Sequence, residues 1–163
     1  MAEERLLAYL TALGIEAPVV PYPAHRTVEE GKLLRGTMTG TFTKNLLLRD
    51  RKRRLYLFSV HEDRSLDLKT MHPLIGASGQ LSFAPAEQMT AILGITPGAM
   101  TPLALMNDSE GLVTCVLDAS LLDAAQLNFH PMVQTLSIGL RPDQLLAFLD
   151  ACSHPPLLLS AGG

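Results

Sequence analysis

Two apolar runs of strand length, residues 46–49 and 55–60, flank the polar stretch Asp50-Arg51-Lys52-Arg53-Arg54. Strands this close in sequence pair antiparallel, because a parallel crossover needs a dozen or more residues. The pattern therefore reads as a β-hairpin, although its turn lacks the glycine that usually marks one. The first run is preceded by Thr41-Phe42-Thr43-Lys44-Asn45, which follows Gly40. A buried strand admits neither a lysine nor an asparagine readily. Lys44 at its mouth is either a snorkelling surface residue or a positioned charge.

The remaining elements follow in chain order. Leu6, Leu7, Leu10 and Leu13 recur at helical spacing between Glu3-Glu4 and Gly14, which predicts a helix over 3–13. Residues 17–22 carry two prolines and read as an edge-type extended segment. Thr27-Val28-Glu29-Glu30 has the form of a capping box, opening a second helix that runs to about Arg35 and ends at Gly36. Residues 37–43 read as a small, polar loop. Residues 80–84 suggest a strand, and Pro85 a helix start with Gly94 as its C-cap. Strands are expected at 103–106 and 112–117 around a turn at 107–111, and at 126–129 and 135–138 around His130-Pro131-Met132. A last helix opens at Arg141, His154-Pro155-Pro156 breaks it, and 157–159 suit a final edge strand. Hairpins alternating irregularly with helices point to an α+β (mixed α/β) fold, a mixed sheet with helices packed on it.

Composition narrows the function. The 163 residues fit one domain, 1–163, and 47% apolar content supports a full core. No apolar run approaches the ~20 residues of a membrane span. The acidic N-terminus is unlike a signal peptide, and Cys115 and Cys152 lack metal spacing, so buried thiols and a cytoplasmic location are expected. A net charge of -3 argues against a general nucleic-acid binder, and so against DNA. The local basic cluster at 49–54 remains, as a solvated turn or as a contact to an RNA backbone through Arg51, Lys52 and Arg53. There is no G-x-S-x-G elbow, no P-loop and no G-x-G-x-x-G. The five histidines never fall at metal-binding spacing, so neither a metal nor a cofactor is expected.

What remains is polar residues at strand–loop joints: Lys44 with Asn45, Gly98 with Pro102, and His130 between Phe129 and Pro131. Each alone has an ordinary explanation, since His-Pro pairs are commonly turns and this chain has three. Together with Thr27-Val28-Glu29-Glu30, Leu81-Ser82-Phe83-Ala84, Asn107-Asp108 and Leu117-Asp118, in this order, they form a more specific pattern. It resembles the YbaK-like aminoacyl-tRNA editing domain family, and within it the free-standing prolyl-tRNA editing proteins, over about residues 3–160. The resemblance implies a central sheet curved into a partial barrel. It also implies metal-independent hydrolysis, in trans, of a mischarged aminoacyl ester, Ala-tRNA(Pro) foremost. Lys44 matches the family's essential lysine, Asn45 its neighbour, Gly98 and Pro102 the ends of the substrate loop, and His130 the histidine lining the aminoacyl pocket. Gln134, where close relatives of this pattern often carry asparagine, departs from it and bears on pocket depth. The implied partners are mischarged tRNA and, as a candidate, prolyl-tRNA synthetase. Editing of Cys-tRNA(Pro) or a Ser-charged tRNA, and a non-catalytic tRNA- or synthetase-binding module, are the competing readings.

Overall fold

The computed structural model describes residues 2–23, 27–34 and 38–160. The expected helix end at Arg35 and Gly36 lies outside the described residues. The hairpin is present as β2 (Thr41–Arg49) and β3 (Leu55–His61), antiparallel in a register from Thr43 opposite His61 to Arg49 opposite Leu55. β3 is buried along nearly its whole length. Leu55 and Leu57 join the main core, while Tyr56, Phe58 and Val60 join a second cluster on the other face. This double burial is why the run shows no polar alternation, as expected of a strand covered on both faces.

The other strands are β1 (Val19–Pro21), β4 (Ser82–Phe83), β5 (Val113–Asp118), β6 (Leu127–Phe129), β7 (Leu136–Leu140) and β8 (Leu157–Leu159). Together they form one mixed sheet of eight strands in the order β1-β7-β6-β2-β3-β5-β8, with β4 paired to β2. β2 with β6, β3 with β5, and β5 with β8 are parallel. The sheet is not closed, since β1 and β8 stand at opposite ends of the path. Proline-rich β1 is an edge strand, as its composition predicts.

Helices α1 (Ala2–Ala12) and α4 (Pro142–Ala151) flank the sheet. Leu6 and Leu10 of α1 and Leu145, Phe148 and Leu149 of α4 enter the main core. α2 (Val28–Leu34) begins as the capping box predicts, the Glu30 amide donating to Thr27 Oγ1 at 3.1 Å. The short α3 (Ala86–Gln88) widens into a π turn over Met89–Leu93, closed by Gly94 at φ +69°. Two local expectations differ from the structure. Residues 41–43 belong to β2. Residues 103–106 are not a strand but part of a 3-10 helix, Pro102–Asn107. Pro102, lacking an N–H, opens it, Thr101 Oγ1 accepts the Leu103 amide, and Pro102, Leu103, Ala104 and Leu105 are all buried. A run buried at every position carries no period from which helix and strand can be told apart.

The hairpin turn is built around one carboxylate. Asp50 is buried and accepts from the amides of Lys52, Arg54 and Ser78, from Arg54 Nε and from the Tyr56 hydroxyl. Burial pushes its carboxyl up, but the Ser78 and Arg54 amides and the Arg54 guanidinium outweigh that and hold it down, to about 2. Asp50→Ala should cost about 2–4 kcal/mol in urea denaturation, since it orphans these donors. A depressed carboxylate stabilises above its unfolded pKa. The wild type should therefore lose this increment as pH falls from 3.8 towards about 2, and the variant should not.

Candidate active site

β2 and β6 are paired only through Thr41 with Leu127 and Phe42 with Asn128. The next link is a side chain: Thr43 Oγ1 donates to the Asn128 carbonyl at 2.9 Å. Beyond it the strands part, and a cavity of about 210 Å³ occupies the gap. Thr43 and Asn45 wall it on one side, Phe129 and His130 on the other. Pro97, Gly98 and Met100 close one end, while Tyr22, Thr27, Val28 and Gly31 lie across another.

The polar wall is internally ordered. Ser59, opposite Asn45 in register, donates its hydroxyl to Asn45 Oδ1 at 2.7 Å, and Asn45 Nδ2 donates to Thr43 Oγ1 at 3.2 Å. The Asn45 amide is thereby fixed in direction. His130 Nδ1 lies 2.9 Å from the Leu136 carbonyl. A carbonyl only accepts, so Nδ1 carries the proton and Nε2 holds the lone pair in the neutral ring. Tyr22 stacks on this imidazole, with centroids 6.2 Å apart and planes at 25°, and its hydroxyl donates to the Gly31 carbonyl at 3.0 Å. Stacking and hydrogen bond together hold the ring in place.

The structure thus brings Asn45, Gly98 and His130 together. Gly98 is exposed at the rim, and a Cβ there would meet Gln134 Oε1 at 2.1 Å, so the amide of Gln134 lies against this glycine. Pro102 does not line the cavity, because it is buried at the start of its 3-10 helix. Lys44 does not line it either. It pairs with Val60 and donates Nζ to the Arg64 carbonyl. By the pleat it shares a face of β2 with Phe42, which does line the cavity, two residues or roughly 7 Å along the strand. Thr43 and Asn45, which wall the cavity, point to the other face of the strand, and the amine is turned to the Arg64 carbonyl.

Its acceptor belongs to a firm segment. Arg64 is nearly buried and pairs with Asp118 at 3.0 Å. Asp118 also accepts from the His61 and Ser120 amides and the Ser120 hydroxyl. Burial raises the Asp118 carboxyl, but these donors and Arg64 outweigh it and leave it below its usual range. The same segment places Glu62 on the cavity wall, and Asp63 pairs with Lys32 of α2 at 2.7 Å.

Sequence reasoning missed Tyr22, Thr43, Ser59 and Asn128. Asn128 offered a signal, a lone polar residue inside Leu127-Asn128-Phe129. The basic turn is elsewhere. Arg51 covers Gly79, Arg54 serves Asp50, and Lys52 and Arg53 are exposed, roughly 20 Å from Asn45 at ~3.3 Å per residue. Both cysteines are free thiols. Burial pushes Cys115 up to about 12 and Cys152 up to about 11, so neither is a nucleophile at neutral pH. Among the described residues no group of three or more His, Cys, Asp or Glu could hold a metal, and no helix is long and apolar enough to cross a membrane.

An open mixed sheet, parted over a small polar-walled cavity, defines the class. The model of the aminoacyl-tRNA editing domain matches residues 22–148, a span that holds every residue of this cavity. The chain belongs to the aminoacyl-tRNA editing domain family. It is 36% identical over 159 residues to prolyl-tRNA synthetase associated domain-containing protein 1 of Danio rerio, covering 96% of this chain and 86% of that protein. It is 30% identical over 151 residues to the prolyl-tRNA editing protein ProX of Acetoanaerobium sticklandii, covering 92% of each. The crystal structure of a proposed trans-editing enzyme for prolyl tRNA synthetase shares the fold, with a TM-score of 0.70, 24% identity, and coverage of 98% of this chain and 95% of that one.

Asn45→Ala should destabilise the protein by about 1–3 kcal/mol, because it strands the Ser59 hydroxyl. In a double-mutant cycle, Ser59→Ala should add less in the Asn45→Ala background than in the wild type, by about 0.5 kcal/mol or more. Additive losses in thermal unfolding would mean that the two side chains act independently.

Proposed function

We propose that this protein hydrolyses the ester of mischarged tRNA in trans, with Ala-tRNA(Pro) its foremost substrate. The observation that carries the reading is the cavity itself, about 210 Å³, walled by Tyr22, Phe42 and Phe129 and edged by the ordered Asn45 and His130. A space of this size suits a small aminoacyl group. A synthetase pocket shaped for proline excludes alanine poorly, since a methylene or two is worth only ~1–3 kcal/mol. A second, smaller pocket that rejects the proline ring supplies the missing discrimination. The family membership and the editing relative support the same reading.

The chemistry needs a water aimed at the carbonyl and donors where negative charge develops. The aminoacyl ester is already activated, and the vicinal ribose hydroxyl can help to activate the water, so the reaction asks for no metal. Asn45 and His130 orient the ester, and backbone amides of the Gly98 loop donate to the carbonyl region. Lys44 leaves the Arg64 carbonyl and turns along its strand face to the substrate's phosphate, ribose or developing oxyanion. The exposed Lys52 and Arg53, with Arg51, form a peripheral contact to the acceptor stem, and prolyl-tRNA synthetase is the partner that releases the substrate.

The deciding experiment incubates the protein with tRNA(Pro) charged in turn with alanine, cysteine, serine and proline, with and without a chelator. Alanine should be released fastest, proline spared and the chelator without effect. Release of cysteine or serine instead would redirect the specificity, and no release from any would make this a binding module. Lys44→Ala should abolish turnover while unfolding at the wild-type temperature. Retained turnover with a lowered Tm would give Lys44 only the task of holding the Arg64 segment. Neutralising Arg51, Lys52 and Arg53 together should raise KM several-fold, leave kcat unchanged and flatten the salt dependence of KM. An unmoved KM would make the turn merely solvated.

A further inference from the structure

A second cavity, of about 360 Å³, opens beside the first and shares Asn128 and Ser137 with it. It lies over one face of β1, β7 and β6, where Ser137 stands opposite Val20 and Gly139 opposite Asn128 in register. Its floor is kept low by glycine. A Cβ on Gly139 would meet Gln126 Nε2 at 2.4 Å, and one on Gly40 would meet Asn128 Nδ2 at 2.9 Å. Pro18, Val20, Pro21 and Met38 supply apolar walls.

The two amides on this floor are set in direction by a relay. The Thr39 carbonyl only accepts, so Asn128 must present Nδ2 to it, at 2.8 Å. Asn128 Oδ1 is thereby turned to Gln126, whose Nε2 donates to it at 3.1 Å. Gln126 then offers an acceptor, Oε1, and the second hydrogen of its Nε2, side by side. A carboxamide in this attitude matches the amino group and adjacent ring nitrogen of adenine, a pairing made in bidentate fashion by Gln and Asn. Pro18, Val20, Pro21 and Met38 offer apolar surface to the faces of a purine.

We infer that this second cavity seats the adenine of the tRNA's 3′-terminal nucleotide, read by Gln126 through an amide orientation that Asn128 and the Thr39 carbonyl impose. The inference rests on the editing reading above. The aminoacyl ester sits on the ribose of that nucleotide, so a base held beside the first cavity delivers the ester into it. The larger cavity thus anchors a part common to every tRNA, and the smaller one sorts the amino acid.

Adenosine 5′-monophosphate tests the seat without any hydrolysis. In NMR titrations of the intact protein, amide shifts should centre on Gly40, Ser137 and Gly139. Purine riboside 5′-monophosphate, which lacks the 6-amino group, should bind the wild type about tenfold more weakly. The Gln126→Leu variant should not distinguish the two nucleotides. Shifts confined to other surfaces, no shifts at all, or an equal penalty for the missing amino group in both proteins would overturn the assignment. With charged tRNA, Gln126→Leu should raise KM about tenfold and hold kcat within about twofold. An unchanged KM would also overturn it. If no charged tRNA is hydrolysed, the editing reading falls, and the nucleotide titrations still decide the seat. If hydrolysis proceeds and the titrations are silent, the seat alone falls.

Discussion

The short pairing of β2 with β6 is the constraint on which the rest depends. A sheet gains from every further rung of its ladder, and here the ladder stops after Phe42 and Asn128. The polar groups beyond that point need partners, and side chains provide several of them: Thr43 bonds the Asn128 carbonyl, Asn45 bonds Thr43, and Ser59 bonds Asn45. The Asn128 carbonyl is thus paired although the ladder has ended. The side-chain bonds that continue from Thr43 to Asn45 and Ser59 fix the polar wall of the cavity.

Around the opening, supports come from distant parts of the sequence. The Arg64–Asp118 pair joins the end of β3 to the end of β5, and Arg64 also reaches the carbonyls of Leu159, the last residue of β8, and of Ser160 beyond it. A nearly buried ion pair contributes little net stability unless its hydrogen bonds are complete. Here Asp118 is also bonded by backbone amides, so its role is to set position. It holds the carbonyl on which Lys44 rests. The far end of the hairpin is set separately by Asp50. Strand residues of β2, β6 and β7 supply one part of the cavity lining, and α2 and the segments around Tyr22, Glu62 and Gly98 supply the rest.

Much of this was legible in the sequence, and the exceptions have physical causes. The hairpin, both flanking helices, the edge character of β1 and the start of α2 follow from apolar spacing, prolines and a capping threonine. The 3-10 helix at Pro102–Asn107 was read as a strand because continuous burial erases periodicity. Asn45, Gly98 and His130 were legible as polar or small residues at strand–loop joints, and the fold gathers them. Pro102 is grouped with them at a strand–loop joint and through the family's Gly-x-x-x-Pro loop, and the structure buries it at the start of a 3-10 helix, outside the cavity lining. Lys44 is not in the wall: it lies on the face of β2 opposite Thr43 and Asn45, with its amine on the Arg64 carbonyl. Tyr22, Thr43 and Ser59 were invisible because nothing local in the chain marks them. Their positions are set by strands that meet only through tertiary pairing.

The two cavities also order the chemistry that the site can perform. Asn45, oriented by Ser59, and His130, held by Leu136 and Tyr22, face the smaller space with donors and acceptors in fixed directions. Such preorganisation favours a polar transition state over a water-filled site, because no reorientation is needed as charge develops. His130, with its Nδ1 proton given to a carbonyl, carries its lone pair on Nε2, and Asn45 is a neutral amide. The wall thus sets fixed hydrogen-bonding groups around a small space, with Thr43 and Asn45 from one strand and His130 from the end of another.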